Sequence, residues 1–343
     1  MLDLPATLAR LAALDPAGWG TGLSADNARA GWAAAVGDLD PAALLAHVSG
    51  TAPRAVLVIC SGNVFTAPLP WLLHFAARGV PTIVKPASGQ EAAVRAMATA
   101  IGGIDMRVWR GTDATADDLA AEAAALAEVD GVLAFGGAPA MQAIRARLPE
   151  GVVWLPFGPR FGVGVVSALT HAPLVEAAAT DFALYDGHGC MSPAAYFARA
   201  IDLSALADAM ADAEARWPRG EIDPADAAQT RARILLARAA GRKIVGSGWA
   251  VVELPLDHFS PVALPRVLVV HPFTDVQKVR AAVAPWRDRL GTVATDLPGL
   301  FLGAPRMCAP GRMQHPVCGR FHDGVDVLGA LWRQRALRPD GTA

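Results

Sequence analysis

A nucleophile needs a thiol or hydroxyl that substrate can reach, and this chain carries four thiols: Cys60, Cys190, Cys308 and Cys318. Cys190 stands in ATDFALYDGHGCMSP (residues 179–193), with Gly187 and Gly189 before it and Pro193 after it. On a tight glycine-flanked loop it is expected to be exposed, and a thiolate there could attack a carbonyl while a nearby backbone N–H stabilises the oxyanion. Cys60 ends an apolar run and reads as a buried, inert thiol. Two further segments carry ligand-binding patterns. Lys85 ends a strand-like run in CSGNVFTAPLPWLLHFAARGVPTIVKPAS (residues 60–88). A lysine at the carboxyl end of a parallel strand points into the crevice where such sheets bind ligands; the alternative is an ordinary surface lysine. Phe135-Gly136-Gly137-Ala138-Pro139 closes a strand and opens a helix, so a phosphate can approach backbone N–H groups at the positive helix end, although glycine turns before helices are common. Cys308, His315, Cys318 and His322 have a spacing that could hold zinc, but Pro310 and Pro316 interrupt it and no CxxC knuckle is present, so no metal is assigned.

Elements of a definite kind must position these residues. Strand-like runs at 55–60, 82–84, 106–109, 132–135 and 152–155 alternate with helical stretches at 69–77, 91–101, 116–128 and 140–148. Near-continuous apolar strands suit a parallel sheet covered on both faces, which makes residues 53–160 a doubly wound nucleotide-binding lobe. Neither GxGxxG nor a Walker loop is present. The second half is less regular. Short strands at 163–166, 194–197, 250–252, 267–270 and 292–294 mix with helices at 203–216, 224–240 and 275–284, giving a second α/β lobe over 161–332 whose C-terminal part has the option of returning to the first. Residues 1–52 form a helical lead-in, with a helix start at 43–47 after Asp40-Pro41, and 333–343 a frayed polar tail.

Composition bounds the function. The 343 residues suggest two lobes, and 53% hydrophobic with 18% charged residues exclude global disorder. Thirty basic against 32 acidic residues give a net charge of −2, with no basic field to collect nucleic acid. The longest apolar stretches fall far short of the roughly 20 residues needed to span a bilayer, and no secretory signal is evident, so the expectation is a cytoplasmic protein with reduced thiols.

The order of these segments resembles the aldehyde dehydrogenase superfamily, and most closely its acyl-CoA reductase branch, the LuxC-like fatty-acid reductases. The resemblance runs from about residue 53 to 332. SGNVFTAPLP followed by VKPAS is similar to the family's asparagine-containing turn and lysine-proline strand end; FGGAPAMQAIRARLP is similar to the segment that meets the cofactor pyrophosphate. YDGHGCMSP looks like the catalytic-cysteine loop, Asp257-His258-Phe259-Ser260-Pro261-Val262 like the acidic-x-Phe-Gly-Pro segment beside the nicotinamide ribose, and Phe321-His322-Asp323-Gly324 like the branch's C-terminal His-Asp-Gly. The fold implied is α/β and aldehyde-dehydrogenase-like: a doubly wound Rossmann-type cofactor lobe plus a second α/β catalytic lobe.

The resemblance implies NAD(P)H-dependent reduction of an acyl thioester such as acyl-CoA to an aldehyde through an S-acyl-cysteine at Cys190. The side-chain amide of Asn63 and the Cys190 N–H would hold the oxyanion; His322 either moves the proton or is a structural histidine bonded to Asp323. Lys85 would bind the adenosine ribose, with Ser88 at the position that meets its hydroxyls, Gly137 and the following helix start the pyrophosphate, and Asp257 with Phe259 the nicotinamide end; Ser61 is a further cofactor-binding candidate. Two departures matter. Hydrolytic members carry a water-activating glutamate in an E-L-G-G-K stretch, where this chain has Pro156-Phe157-Gly158-Pro159-Arg160, so water attack on a thioester should be slow and exchange with a thiol favoured. NAD-preferring members carry a glutamate three residues after the lysine; Ser88 stands here, which tilts the expectation from NADH toward NADPH, although no arginine selects a 2′-phosphate. Alternatives are the CoA-acylating oxidative direction and a degenerate member that binds a nucleotide or partner without chemistry. A homodimer is the family expectation.

Overall fold

The computed structural model describes residues 2–111 and 113–333; the expected frayed tail lies, from residue 334 on, outside the described residues. In chain order the first elements are α1 (Leu4–Ala12), α2 (Ala25–Gly37), α3 (Pro41–Leu45), β1 (Val56–Ile59), α4 (Leu69–Ala77), β2 (Thr82–Lys85), α5 (Glu91–Ile101) and β3 (Ile104–Met106). Next come α6 (Ala116–Glu128), β4 (Gly131–Phe135), α7 (Ala138–Arg145), β5 (Val153–Phe157), β6 (Phe161–Val166), α8 (Leu174–Ala183), β7 (Pro193–Ala198) and α9 (Leu203–Arg216). The remainder are α10 (Pro224–Ala240), β8 (Arg242–Val245), β9 (Ala250–Glu253), β10 (Val267–Pro272), α11 (Val276–Val283), β11 (Leu290–Thr295), β12 (Arg306–Cys308), β13 (Phe321–His322), β14 (Val325–Asp326) and α12 (Val327–Arg333). Among the described residues no helix is long and apolar enough to cross a membrane.

The chain divides into two compact units. The first holds residues 2–21, 35–159 and 317–333, the second 22–34 and 160–316. In the first unit five strands run parallel in the order β3-β2-β1-β4-β5. Every residue of β1, β2 and β4 is buried, as a sheet covered on both faces requires. Chain direction across the sheet reverses between β1 and β4, and open sheets bind ligands outside the strand ends at such a switch point. α6 starts with a capping box between Thr115 and Asp118, and α3 starts at Pro41 behind an Asp40 cap rather than at residue 43. β3 begins directly after Gly102-Gly103, earlier than the expected 106–109, and Trp109 is buried without joining a strand. β13 and β14 form a small antiparallel hairpin in this unit.

The second unit is built on a seven-stranded sheet, β12-β11-β6-β7-β10-β9-β8, parallel except for the antiparallel edge strand β8. One face is closed by α8 and α9, whose apolar stripes pack on Val166, Tyr196, Val251, Leu268 and Val270. The other face buries Phe161, Val163, Val165, Phe197, Val279, Val283 and Val293. The mixed α/β class with parallel sheets agrees with the sequence reading; α8, which leads to the cysteine loop, was not foreseen.

Candidate active site

In the second unit the chain leaves α8 through a tight turn, Leu184–Gly187, in which Tyr185, Asp186 and Gly187 are all left-handed. It then closes a second turn: the Ser192 N–H donates to the Gly189 carbonyl (2.9 Å), and the Gly189 N–H donates to Ser192 Oγ (3.1 Å). Cys190 and Met191 are the two central residues of that turn. Cys190 is half-buried, and three residues later the chain enters the fully buried strand β7. Gln314 Nε2 donates to Ser192 Oγ (2.7 Å) and to the Asp181 carbonyl (3.0 Å). The Asp181 carboxylate accepts from the Tyr196 hydroxyl (2.6 Å) and from the N–H groups of Gly311 and Met313 (2.8 Å each). Burial raises its pKa to about 6, opposed by these three donors. The cysteine turn therefore rests on a buried polar frame whose members bond one another.

The other three thiols are poor nucleophiles. Burial pushes Cys60 up to about 12 and Cys308 up to about 11, and burial also raises Cys318. A thiol needs a reachable thiolate to attack carbon, so these environments remove Cys60, Cys308 and Cys318 from that role. Among the described residues no group of three or more His, Cys, Asp and Glu side chains is placed to hold a metal ion.

In the first unit the fold gathers Ser61, Asn63, Lys85, Ser88 and Gly137 at the carboxyl ends of β1, β2 and β4. The Ser61 hydroxyl donates to Asn63 Oδ1 (2.7 Å), which occupies the carbonyl branch of the amide and turns the donor branch the other way. Gln90 Nε2 donates to the Gly62 carbonyl (3.0 Å) and ties this loop to the turn after β2. Lys85 is buried to 8% exposure rather than a surface lysine; burial lowers its pKa, with Cys60, Glu122 and Glu91 opposing. Gly137 caps α7 in an extended conformation with no side-chain cap, and a Cβ there would meet nothing closer than Pro139 Cδ at 3.8 Å. The first amides of α7 thus stand exposed and approachable at the switch point, and a buried lysine sits at the end of β2. These residues fit a dinucleotide, with its anionic centre at the helix start.

His322 also belongs to the first unit. Its ring meets Phe157, Phe135 and Trp71 edge-on, at centroid distances of 4.5, 5.3 and 5.9 Å, while Phe135 and Phe157 stack at 5.4 Å. Its Nε2 stands 3.9 Å from Asp323 Oδ2. The hairpin that carries it is bracketed by an Arg320–Asp326 ion pair. In the second unit Asp257 is 82% exposed and paired with His258 at 3.1 Å. Phe259 is half-buried against Phe197 (5.2 Å), His271 (5.9 Å) and Phe161 (6.3 Å) as part of the core. What stands against the cysteine loop is the chain just after this segment, at Leu264 and Arg266. A Cβ on Gly187 would come within 3.3 Å of the Leu264 carbonyl, and Arg266 Nε donates to Asp186 (2.6 Å). Sequence reasoning did not find Asp181, Ser192 or Gln314; the available signal was a lone acid in the apolar run Ala177-Ala178-Ala179-Thr180-Asp181-Phe182-Ala183.

A family model described as acyl-CoA reductase (LuxC) matches residues 49–334, most of the chain. The chain belongs to the acyl-CoA reductase (LuxC) family. It is accordingly an oxidoreductase acting on aldehyde or oxo groups. No curated protein matches it in sequence. Among solved structures it is similar to the Δ-pyrroline-5-carboxylate dehydrogenase of Mycobacterium tuberculosis, at 18% identity and a TM-score of 0.59, over 95% of this chain and 76% of that one. It is likewise similar to an NAD-dependent benzaldehyde dehydrogenase from Corynebacterium glutamicum, at 14% identity and a TM-score of 0.61, over 94% of this chain and 82% of that one. A gamma-glutamyl-gamma-aminobutyraldehyde dehydrogenase from Burkholderia cenocepacia J2315 matches at 15% identity and a TM-score of 0.62, over 89% of this chain and 75% of that one. At these identities the likeness shows the fold, which for this reductase-family chain is that of the aldehyde dehydrogenases.

Proposed function

We propose that this protein reduces an acyl thioester, such as an acyl-CoA, to an aldehyde, with Cys190 as the nucleophile. The observation that carries the reading is the Gly189–Ser192 turn, which presents a half-buried thiol on a buried frame while the other three thiols are held in environments that disfavour the thiolate. Family membership and an Asn63 amide oriented by Ser61 support it.

The Cys190 thiolate attacks the acyl carbonyl carbon, and the Asn63 side-chain amide and the Cys190 N–H hold the developing oxyanion, each donor worth about 3 kcal/mol. Collapse expels the thiol carrier as thiolate and leaves an S-acyl-cysteine, dividing one hard step into two. A reduced nicotinamide cofactor, when bound, supplies the hydride that takes the acyl group to the aldehyde level. The resulting hemithioacetal at Cys190 breaks its C–S bond, releasing aldehyde and regenerating the thiolate. With no carboxylate in the 156–160 run, water is not activated against the acyl-enzyme.

The division of labour is part of the proposal: the first unit binds the cofactor and the second carries the cysteine. A solved structure to which the chain is similar, again the Mycobacterium tuberculosis dehydrogenase, is described as bound with NAD. Here Lys85 and Ser88 would hold the adenosine end, with Ser61 a further cofactor contact, Gly137 and the start of α7 the pyrophosphate, and the exposed Asp257 together with Phe259 the nicotinamide ribose. Ser88 offers no negative charge against a 2′-phosphate, so NADPH is accepted along with NADH. His322 is oriented by three aromatic rings. A shifted pH optimum in His322→Asn with unchanged thermal stability would mark it as the proton carrier, and the reverse as a packing residue.

Stopped-flow mixing with an acyl-CoA panel and either cofactor tests the reading. Decay of reduced-cofactor absorbance together with aldehyde formation is expected; a flat signal across chain lengths with both cofactors refutes it.

A further inference from the structure

Tyr185 and Asp186 occupy the left-handed region (φ 60°, ψ 20° and φ 55°, ψ 24°), and Gly187 continues it at φ 77°. Two consecutive non-glycine residues persist there only when their surroundings over-determine them. The holds come from far along the chain. Asn27 of α2 is fully buried. Its Oδ1 accepts from the Tyr185 N–H (3.0 Å), and its Nδ2 donates both to the Ala183 carbonyl (3.0 Å) and to Asp186 Oδ1 (2.9 Å). One helical turn on, the Gly31 carbonyl accepts from the Tyr185 hydroxyl (2.8 Å). This approach requires glycine, because a Cβ at 31 would stand 2.8 Å from Tyr185 Cε1. Asp186 also accepts from Arg266 Nε (2.6 Å) and from the Gly220 N–H (2.9 Å).

The chain joins the second unit for residues 22–34 alone before returning to the first, and that excursion delivers Asn27 and Gly31 to the hinge. From Gly187 only two residues separate the hinge from Cys190, and the His188 N–H still bonds back to the Tyr185 carbonyl (3.0 Å). The direction in which the chain enters the Gly189–Ser192 turn is therefore set by the three left-handed residues.

We propose that Asn27 is a positioning residue for Cys190: it holds the left-handed hinge at Tyr185–Asp186 and so fixes where the nucleophilic sulfur stands. The proposal rests on the reading of Cys190 as nucleophile given above. Without the Asn27 amide, the backbone at 185 and 186 relaxes toward negative φ and the cysteine turn is re-aimed.

The test uses the full chain with Asn27→Ala and, independently, Gly31→Ala, which keeps the Asn27 bonds but displaces the Tyr185 ring. Readouts are kcat and KM on acyl-CoA, cofactor affinity by fluorescence, thermal midpoint, and the second-order rate of Cys190 alkylation by iodoacetamide from pH 6 to 9. A misplaced nucleophile loses about a hundredfold in kcat, so Asn27→Ala should show that loss, with cofactor affinity kept within about twofold and a changed Cys190 alkylation profile. Gly31→Ala should lose about tenfold in the same direction. Unchanged kcat and alkylation beside a lowered thermal midpoint would overturn the proposal, since a merely structural role predicts that pattern. If Asn27→Ala fails to fold, Asn27→Ser, which removes the amide while keeping a small polar side chain, takes its place, and unaltered kcat and alkylation there overturn the proposal. A parent protein inactive on every acyl-CoA, with Cys190 alkylation still altered by Asn27→Ala, would refute the reductase reading and leave the positioning role supported.

Discussion

Acid should loosen the C-terminal strap of the first unit, and His74 sets the pH range in which it does. His74 is fully buried in α4, with Nε2 3.0 Å from the Gly319 carbonyl and Nδ1 3.2 Å from Arg78 Nη1. A guanidinium only donates, so Nδ1 accepts and Nε2 carries the proton toward Gly319; the ring is neutral. Burial first, and then the Arg78 charge, lower its pKa from 6.5 to about 4 against the raising effect of the Gly319 bond. The unfolded chain therefore takes up this proton before the folded one. The stability from the neutral ring is complete above pH 6.5 and is lost as pH falls toward about 4, a change of roughly 3 kcal/mol at 1.36 kcal/mol per pH unit. Asp181 works the other way in the second unit: its pKa rises from 3.8 to about 6, so its linked stability is full below 3.8 and is lost as pH climbs through 6. The two nearly cancel in a whole-protein profile, and a difference measurement is needed. His74→Gln keeps a donor for Gly319 without titrating. Urea unfolding of parent and variant at pH 7.5 and pH 4 should show the parent's advantage shrinking by about 3 kcal/mol toward acid pH. A difference constant to within about 0.5 kcal/mol would show that the ring is not desolvated as described. Gly319 adjoins the Arg320–Asp326 bracket, so the same loss should speed amide exchange in the hairpin carrying His322.

Cys190→Ala should abolish turnover and leave cofactor titration nearly unchanged; normal turnover would remove the thiol from the mechanism. Iodoacetamide should label Cys190 ahead of Cys60, Cys308 and Cys318, and a peptide map with Cys318 modified first would contradict the burial argument. On the proposed mechanism Asn63→Ala removes one oxyanion donor, and it should lower kcat about a hundredfold with little change in cofactor KM. Elemental analysis of purified protein should find no stoichiometric zinc, and one metal per chain would revive the Cys308–His322 cluster.

The fold of the first unit was legible because its signals are local. Each βα unit announces itself by an apolar strand, a turn and a periodic helix within about 30 residues, and Lys85 and Gly136-Gly137 fall at strand ends fixed by those runs. Boundaries moved where turn chemistry intervened, as at Pro41 and Gly102-Gly103. The cysteine loop was legible for the same reason, since glycines on both sides of His188 mark a turn in any context. Its support was not. Asp181 and Ser192 read as ordinary polar residues, and only the tertiary structure shows Gln314, more than a hundred positions away, bonding both. Asn27 lies in an alanine-rich helix of weak periodicity, and nothing nearby in sequence hints that its partner is a backbone at residue 185. Phe259 carried a motif-like context, but sequence alone does not show that its half-buried ring also packs on Phe161, Phe197 and His271.

That asymmetry bears on the chemistry. A hydrolytic outcome needs a base aimed at water beside the acyl-enzyme, and the run at 156–160 contributes none. The end of β5 is instead committed to packing: Phe157 stacks on Phe135 and receives the edge of His322. Replacing a carboxylate by an aromatic cluster removes an acceptor for the water proton. On the reading proposed above, an acyl group held on sulfur then has two routes away, return to a thiol or reduction. Return to a thiol keeps the activated acyl–sulfur bond, whereas reduction breaks it and releases aldehyde; on that reading, Cys190 holds the acyl group until one of the two partners arrives.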